Sequence, residues 1–448
     1  MPTQFTPPFP ENGTAAPAYA DWLAQVQKDL KDPNAYDGLR WHSPEGFTVE
    51  PYYTAEQTDS QRLVATQAMQ KSTPGWLNTP AYDVETGEEK ILNARLRNAL
   101  TNGADALLLN VPDETSLTRL LDSIKLSDSP VFFRLNPGVD GANFWQSLHQ
   151  IAPYQLKGGI FSGSGTLPAQ SLANLIEQSS NSPNFRVIGI SSHDFHAAGA
   201  TATQELAFTM ARLAETYEQL LEHGFTPEQL VPKTTLSVSV GASYFMEIAK
   251  LRALRVLTAR IFPAPTGQTM LVHCQTSTFY EAKATPYTNL LRATTEAMAA
   301  VIGGADALTI RPYDAVSGIT NEFSERIARN VSTLMKAESY LDKVADPAAG
   351  SYYIENLTQQ LVEAAWTLFQ QVQNMGSFTK AMEAGNIQLE LDSSYAAKVN
   401  AVRNGRVLVG VTKFRHDESE GEPAKSPSDR NGEPLVGLSS RRLAEPFE

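Results

Sequence analysis

His193, Asp194 and His196 lie within four residues of one another and form the densest group of titratable side chains in the sequence. A histidine beside a carboxylate can shuttle protons, with the acid orienting the ring, so His193 with Asp194 is a candidate acid–base pair. The group follows a short apolar run, and other such runs also end in polar residues: Asn110, Asn136, residues 162–164, Ser243, residues 273–275 and residues 311–314. Strand ends are polar wherever they approach solvent, so the clustering has a plain structural reading as well. His273 and Cys274 invite a nucleophile reading, but neighbours on a strand point to opposite faces. Cys274 is therefore expected to be a buried, inert thiol. The P-loop, strand-linked G-x-G-x-x-G, H-E-x-x-H and G-x-S-x-G patterns are missing. The stretch Gly163-Ser164-Gly165 reads as a short flexible turn.

The elements that must position these residues follow from composition and periodicity. The chain has 448 residues, of which 42% are hydrophobic and 19% charged, enough apolar matter for a large core and too much for global disorder. A net charge of −13 argues against nucleic acid or an anionic membrane as the main partner. A single cysteine rules out an intramolecular disulfide and a thiolate metal cluster. No apolar run reaches the ~18 residues of a membrane span, and the N-terminal residues lack a secretory signal, so a cytoplasmic protein is expected. Residues 1–18 read as an extended arm. Trp22, Leu23, Val26 and Leu30 mark a short amphipathic helix. Residues 36–80, broken by prolines and rich in aromatics (Trp41, Phe47, Tyr52, Tyr53, Trp76), are expected to lie across another surface, their own domain or a partner chain. From about residue 84, apolar runs at 106–111, 131–135, 159–162, 186–191, 236–240, 270–274 and 307–311 alternate with helical stretches such as 204–223. Near-continuous apolar strands imply a sheet covered on both faces. Seven or eight such units predict a (β/α)8 barrel, with an open doubly wound sheet as the alternative. The expected organisation is an arm and subunit-contact segment at 1–80, the barrel at 81–414 and a polar tail at 415–448.

Residues 194–199 spell D-x-H-x-x-G, a pattern that in many cobalamin-binding domains sets a histidine under cobalt. Here His196 lacks ligand-spaced partners beyond its immediate neighbours. Longer stretches are far more specific. VGASYFMEIAKLRA at 240–253, HCQTS at 273–277, NLLRATTEAMAAVIGGADAL at 289–308 and NEFSERIARN at 321–330 resemble the barrel of the methylmalonyl-CoA mutase family. ADPAAGSYYIE at 345–355, GRVLVGVTKF at 405–414 and SPEGFTVEPYYTAE at 43–56 extend the resemblance in the same order. The family implies a carbon-skeleton isomerase in which an acyl-CoA threads a (β/α)8 barrel and a separate flavodoxin-like domain presents adenosylcobalamin. The cofactor carries the radical chemistry and the protein orients and shields it.

The departures from the family pattern give this chain its expected role. Where catalytic members read I-S-G-Y-H-M-Q-E-A-G-A-T, residues 190–201 place His193-Asp194 at the Tyr-His pair. The family histidine hydrogen-bonds the thioester carbonyl, which an ionised Asp194 would repel. The stretch 158–168 lacks the arginine that clamps the substrate carboxylate. Ala81 stands where the family's wedge tyrosine is expected, and Leu271 where an arginine precedes T-H-C-Q-T-S. The resemblance thus implies a small, non-catalytic subunit that stabilises a catalytic large subunit in a heterodimer. His193, Asp194, Ala81 and Leu271 are then degenerate catalytic positions, and His196, Gln275 and Ser277 a vestigial substrate pocket. No metal and no cofactor are expected on this chain, and adenosylcobalamin is expected on the partner. The alternative is an active acyl-CoA-binding subunit served by a separate cobalamin-domain chain, with His193, Asp194, His196 and Arg134 as its available clamp.

Overall fold

The computed structural model describes residues 18–32, 34–162, 167–263, 269–318, 320–415 and 438–448. The segments 1–17, 163–166 and 416–437, on which parts of the expected arm, the Gly-Ser-Gly turn and most of the expected tail fall, lie outside the described residues.

Eight parallel strands make the central barrel. The first, β1, has two pieces, Leu77–Asn78 and Ala81–Asp83; β2 is Leu107–Val111, β3 Val131–Leu135 and β4 Gly158–Ser162. The fifth, β5, also has two pieces, Phe185–Arg186 and Ile188–Ser191; β6 is Thr234–Val240, β7 Leu271–Thr276 and β8 Ala307–Thr309. The split strands close the ring. In β1, Leu77 pairs with Ala307 of β8 while Ala81 pairs with Leu108 of β2. In β5, Phe185 pairs with Gly158 of β4 while Ile188 pairs with Thr234 of β6. A closed ring leaves no edge to protect, which an open doubly wound sheet would have. The expected boundary at 80/81 therefore falls inside β1, because Pro80 interrupts a strand rather than ending a segment.

Every residue of β2, β3 and β6 is buried, as in a sheet enclosed between a filled bore and a helical layer. The main hydrophobic core lies between strands and helices. A second, smaller cluster fills the lower bore: Ala106, Leu108, Phe132 and Phe161, with Leu77, Ala81 and Leu271 packed against it. The Phe132 and Phe161 rings stack 5.5 Å apart. Gly189 makes room for them, since a Cβ there would stand 2.8 Å from Phe161 Cδ1.

The flanking segments pack on this barrel. Trp76 is buried and its indole N–H donates to Ser332 Oγ at 2.8 Å, and Tyr53 is buried as well. Helix Tyr19–Leu30 lies against the 36–57 segment, with Trp22 4.9 Å from Tyr52, and buries no residue fully. The last eleven residues correct the expectation of a solvated polar tail. Leu438, Leu443 and Ala444 are buried, the Arg441 N–H donates to the Ala197 carbonyl, and Leu443 N–H donates to that of Phe279. No described helix is long and apolar enough to cross a membrane.

Candidate functional site

The inward face of β7 shows how the bore changes with height. Leu271, His273 and Gln275 alternate with outward residues and climb ~6.6 Å from each inward position to the next, from the apolar cluster to the mouth. Ala81 and Leu271 therefore sit in the lower apolar layer, whereas His193 and Asp194 stand at the mouth. The four expected degenerate positions do not line one site.

Above the apolar layer a single hydrogen-bond chain crosses the bore, and its direction is fixed at the bottom. Thr309 Oγ1 donates its one proton to the Thr79 carbonyl at 2.6 Å. Its 2.8 Å contact with His273 must then use an Nε2–H donor. A neutral His273 accepts at Nδ1 from Ser237 Oγ, 2.7 Å away. With that proton committed, Ser237 accepts from His193 Nε2–H at 2.8 Å. His193 Nδ1 in turn accepts from Ser239 Oγ at 2.7 Å. Both rings are neutral for the same reason. Burial, reinforced by the Arg134 charge, pushes His273 down to about 3 and His193 well below the ordinary histidine range. Both nitrogens of each ring are thus committed inside the protein. Cys274 faces away from this chain, fully buried, and burial pushes its thiol up.

Asp194 does not orient His193. Its carboxyl lies 3.9 Å from Arg212 Nη2, its Oδ2 is buried without a hydrogen-bond partner, and burial pushes its pKa up. Arg212 is held over the Phe195 and Phe378 rings, 4.4 and 5.1 Å from their centroids.

His196 belongs to a separate polar centre. Gly199, at φ +102°, turns the chain, and Thr201 caps helix Ala202–Glu222 in a capping box with Gln204. This start aims Glu205 back at the loop. His196 Nδ1–H donates to Glu205 Oε2 at 3.1 Å, and its Nε2 lies 2.7 Å from Ser277 Oγ. Lys250 Nζ completes the pair at 2.8 Å from Glu205 Oε2 and 2.6 Å from Glu247 Oε2. Burial opposes the ionisation of Glu205, but Lys250 and His196 outweigh it and hold the carboxyl well below the usual range. Both ring nitrogens of His196 are thus engaged by protein side chains, and the glycine of its D-x-H-x-x-G spelling serves the turn. Among the described residues no group of three or more His, Cys, Asp and Glu side chains could hold a metal ion.

The expected vestigial pocket is likewise divided. His196 and Ser277 are bonded to each other, while Gln275 reaches across the bore to Arg134, whose Nη2–H it accepts at 3.4 Å. A cavity of about 550 Å³ beside the mouth is lined by Glu45, His196, Glu247, Tyr280, Lys398 and Arg406 among others, but by neither Gln275 nor Ser277. Sequence reasoning missed Glu205, Lys250, Ser237, Ser239 and Thr309. The alternation of serine with leucine and valine over 236–240 was the available signal, since it points two hydroxyls into an otherwise apolar bore.

Comparison with known proteins adds kinship to this geometry. A family described as methylmalonyl-CoA mutase matches residues 168–433. The chain is 31% identical over 433 residues to the methylmalonyl-CoA mutase small subunit of Porphyromonas gingivalis, covering 88% of this chain and 69% of that protein. The corresponding small subunit of Streptomyces virginiae is 29% identical over 442 residues, with coverages of 89% and 70%. A methylmalonyl-CoA mutase of Rhizobium meliloti is 38% identical over 461 residues, covering 89% of this chain and 64% of its own length. The chain thus spans about two thirds of these relatives.

Proposed function

Because this chain belongs to the methylmalonyl-CoA mutase family, we propose that it is the small, non-catalytic subunit of a heterodimeric, cobalamin-dependent mutase interconverting methylmalonyl-CoA and succinyl-CoA. Its role is to stabilise the catalytic large subunit. That partner carries adenosylcobalamin, and the complex works in the cytoplasm. One observation carries the reading: a histidine that polarises a thioester carbonyl needs a free N–H at the barrel mouth, and His193 has both nitrogens tied to Ser237 and Ser239. The neighbouring Asp194 turns its carboxyl toward Arg212, away from the His193 ring. Below them, the stacked Phe132 and Phe161 fill the bore along which a thioester arm would thread. The helix Tyr19–Leu30 and the exposed Leu39, Trp41 and Tyr52 beside it are the proposed contact surface for the large subunit.

The test is to express the large subunit with and without this chain. The reading expects the pair to co-purify and the large chain alone to melt lower or to aggregate. A large subunit that is equally stable and active by itself would refute it.

A further inference from the structure

Arg134 stands beside the hydrogen-bond chain but is not a link in it. It is only 4% exposed, yet among the described residues its guanidinium donates two hydrogen bonds, Nη1–H to Asn110 Oδ1 at 3.3 Å and Nη2–H to Gln275 Oε1 at 3.4 Å. Both acceptors are neutral and both bonds are long. Among the described residues, no carboxylate comes within 4.0 Å of it. A buried guanidinium without a counter-ion is costly, and neutral amides offset little of that cost.

Arg311 shares the situation. It lies two residues beyond Thr309, half-buried at the end of β8, with its Nε buried and unpartnered and no ion pair among the described residues. Its charge reaches Arg134, depressing that guanidinium in addition to the larger effect of burial. The elements β7, β8, β1, β2 and β3 are consecutive neighbours around the ring, so Gln275, Arg311, Asp83, Asn110 and Arg134 form one arc of the mouth. Asp83, Asn110 and Arg134 stand at a single register level on adjacent strands.

The charges of Asp83 and Asp194 act on Arg134 from a distance, but neither carboxylate pairs with it among the described residues. Asp83 is exposed and accepts from Asn110 Nδ2 at 2.6 Å, and Asp194 is turned toward Arg212. Glu281, whose field reaches Arg311, is pushed up to about 8 by burial and is largely protonated at neutral pH.

We infer that this arc binds a small oxyanion, a carboxylate or a phosphate, held between the Arg134 and Arg311 guanidinium groups. Planar forks suit either group. The arc takes in Gln275 of the expected vestigial pocket and Arg134 of the alternative clamp, and anion binding there requires neither a thioester nor a partner chain.

Isothermal titration calorimetry of the full chain with inorganic phosphate and, separately, acetate in chloride-free buffer tests it. One of the two should bind at one site per chain, and R134Q and R311Q should each weaken that binding by about tenfold or more. Tighter acetate would mark a carboxylate site and tighter phosphate a phosphate site. No heat with either anion, or affinities unchanged in both variants, would overturn the inference. Should R134Q fail to fold, R311Q and a selenate-soaked crystal decide. An anomalous peak between Arg134 and Arg311 supports the site, and its absence there overturns it.

Discussion

Replacing Ser237 by alanine should break the bore's hydrogen-bond chain at its centre. The Ser237 side chain is 3% exposed, and its hydroxyl serves two imidazoles at once, accepting from His193 at 2.8 Å and donating to His273 at 2.7 Å. Its removal leaves one buried donor and one buried acceptor without partners. At about 1–3 kcal/mol each, the loss should total about 2–6 kcal/mol, with little cavity contribution from so small a change. Thr235 supplies the control on the same strand. It is fully buried, and its Oγ1 has no hydrogen-bond partner. The nearly isosteric T235V removes an unsatisfied hydroxyl and should raise stability by about 1 kcal/mol. Equilibrium urea unfolding followed by circular dichroism measures both. A loss below about 0.5 kcal/mol for S237A, or a comparable loss for T235V, would refute the directed chain and with it the argument that His193 is unavailable for catalysis.

Burial raises Glu281 from 4.5 to about 8, so between those values the folded chain holds a proton that the unfolded chain has released. Stability should fall as pH rises through that window, by up to about 1.4 kcal/mol per unit from this group. The urea midpoint of E281Q should decline less than that of wild type between pH 5.5 and 8, and parallel declines would contradict the assignment. Lys250 is 2% exposed and neutralises Glu205 and Glu247. K250M should cost about 3–5 kcal/mol, and adding E205Q should recover part of that, whereas additive losses would speak against the pairing. The single cysteine should resist a thiol-specific disulfide reagent in the native chain and react fully in urea, since burial both shields it and disfavours its thiolate. Rapid native labelling would show that the core around β7 opens.

The barrel is legible because seven of its strands are short apolar runs, the pattern of strands buried on both faces. The first strand is not, because Leu77–Asn78 and Ala81–Asp83 are too short, and too interrupted by Pro80, to show any period. The closing segment 438–448 carries no such pattern for a similar reason. Its anchors, Leu438, Leu443 and Ala444, carry no helical or strand spacing, and backbone hydrogen bonds to the carbonyls of Ala197 and Phe279 hold it. At the site, local sequence brought His193, Asp194 and His196 to the mouth but could not apportion them. His193 bonds across to β6, Asp194 faces Arg212, and His196 faces Glu205 and Ser277. Those partners lie up to 81 residues away, and only closure of the ring decides which of them each side chain meets.

The most direct test of the central claim is turnover by the purified chain. Incubated with methylmalonyl-CoA and adenosylcobalamin, it should form no succinyl-CoA, while the same preparation combined with the large subunit should yield an active complex. Succinyl-CoA production by the single chain, abolished by substitution of His193, would contradict the account.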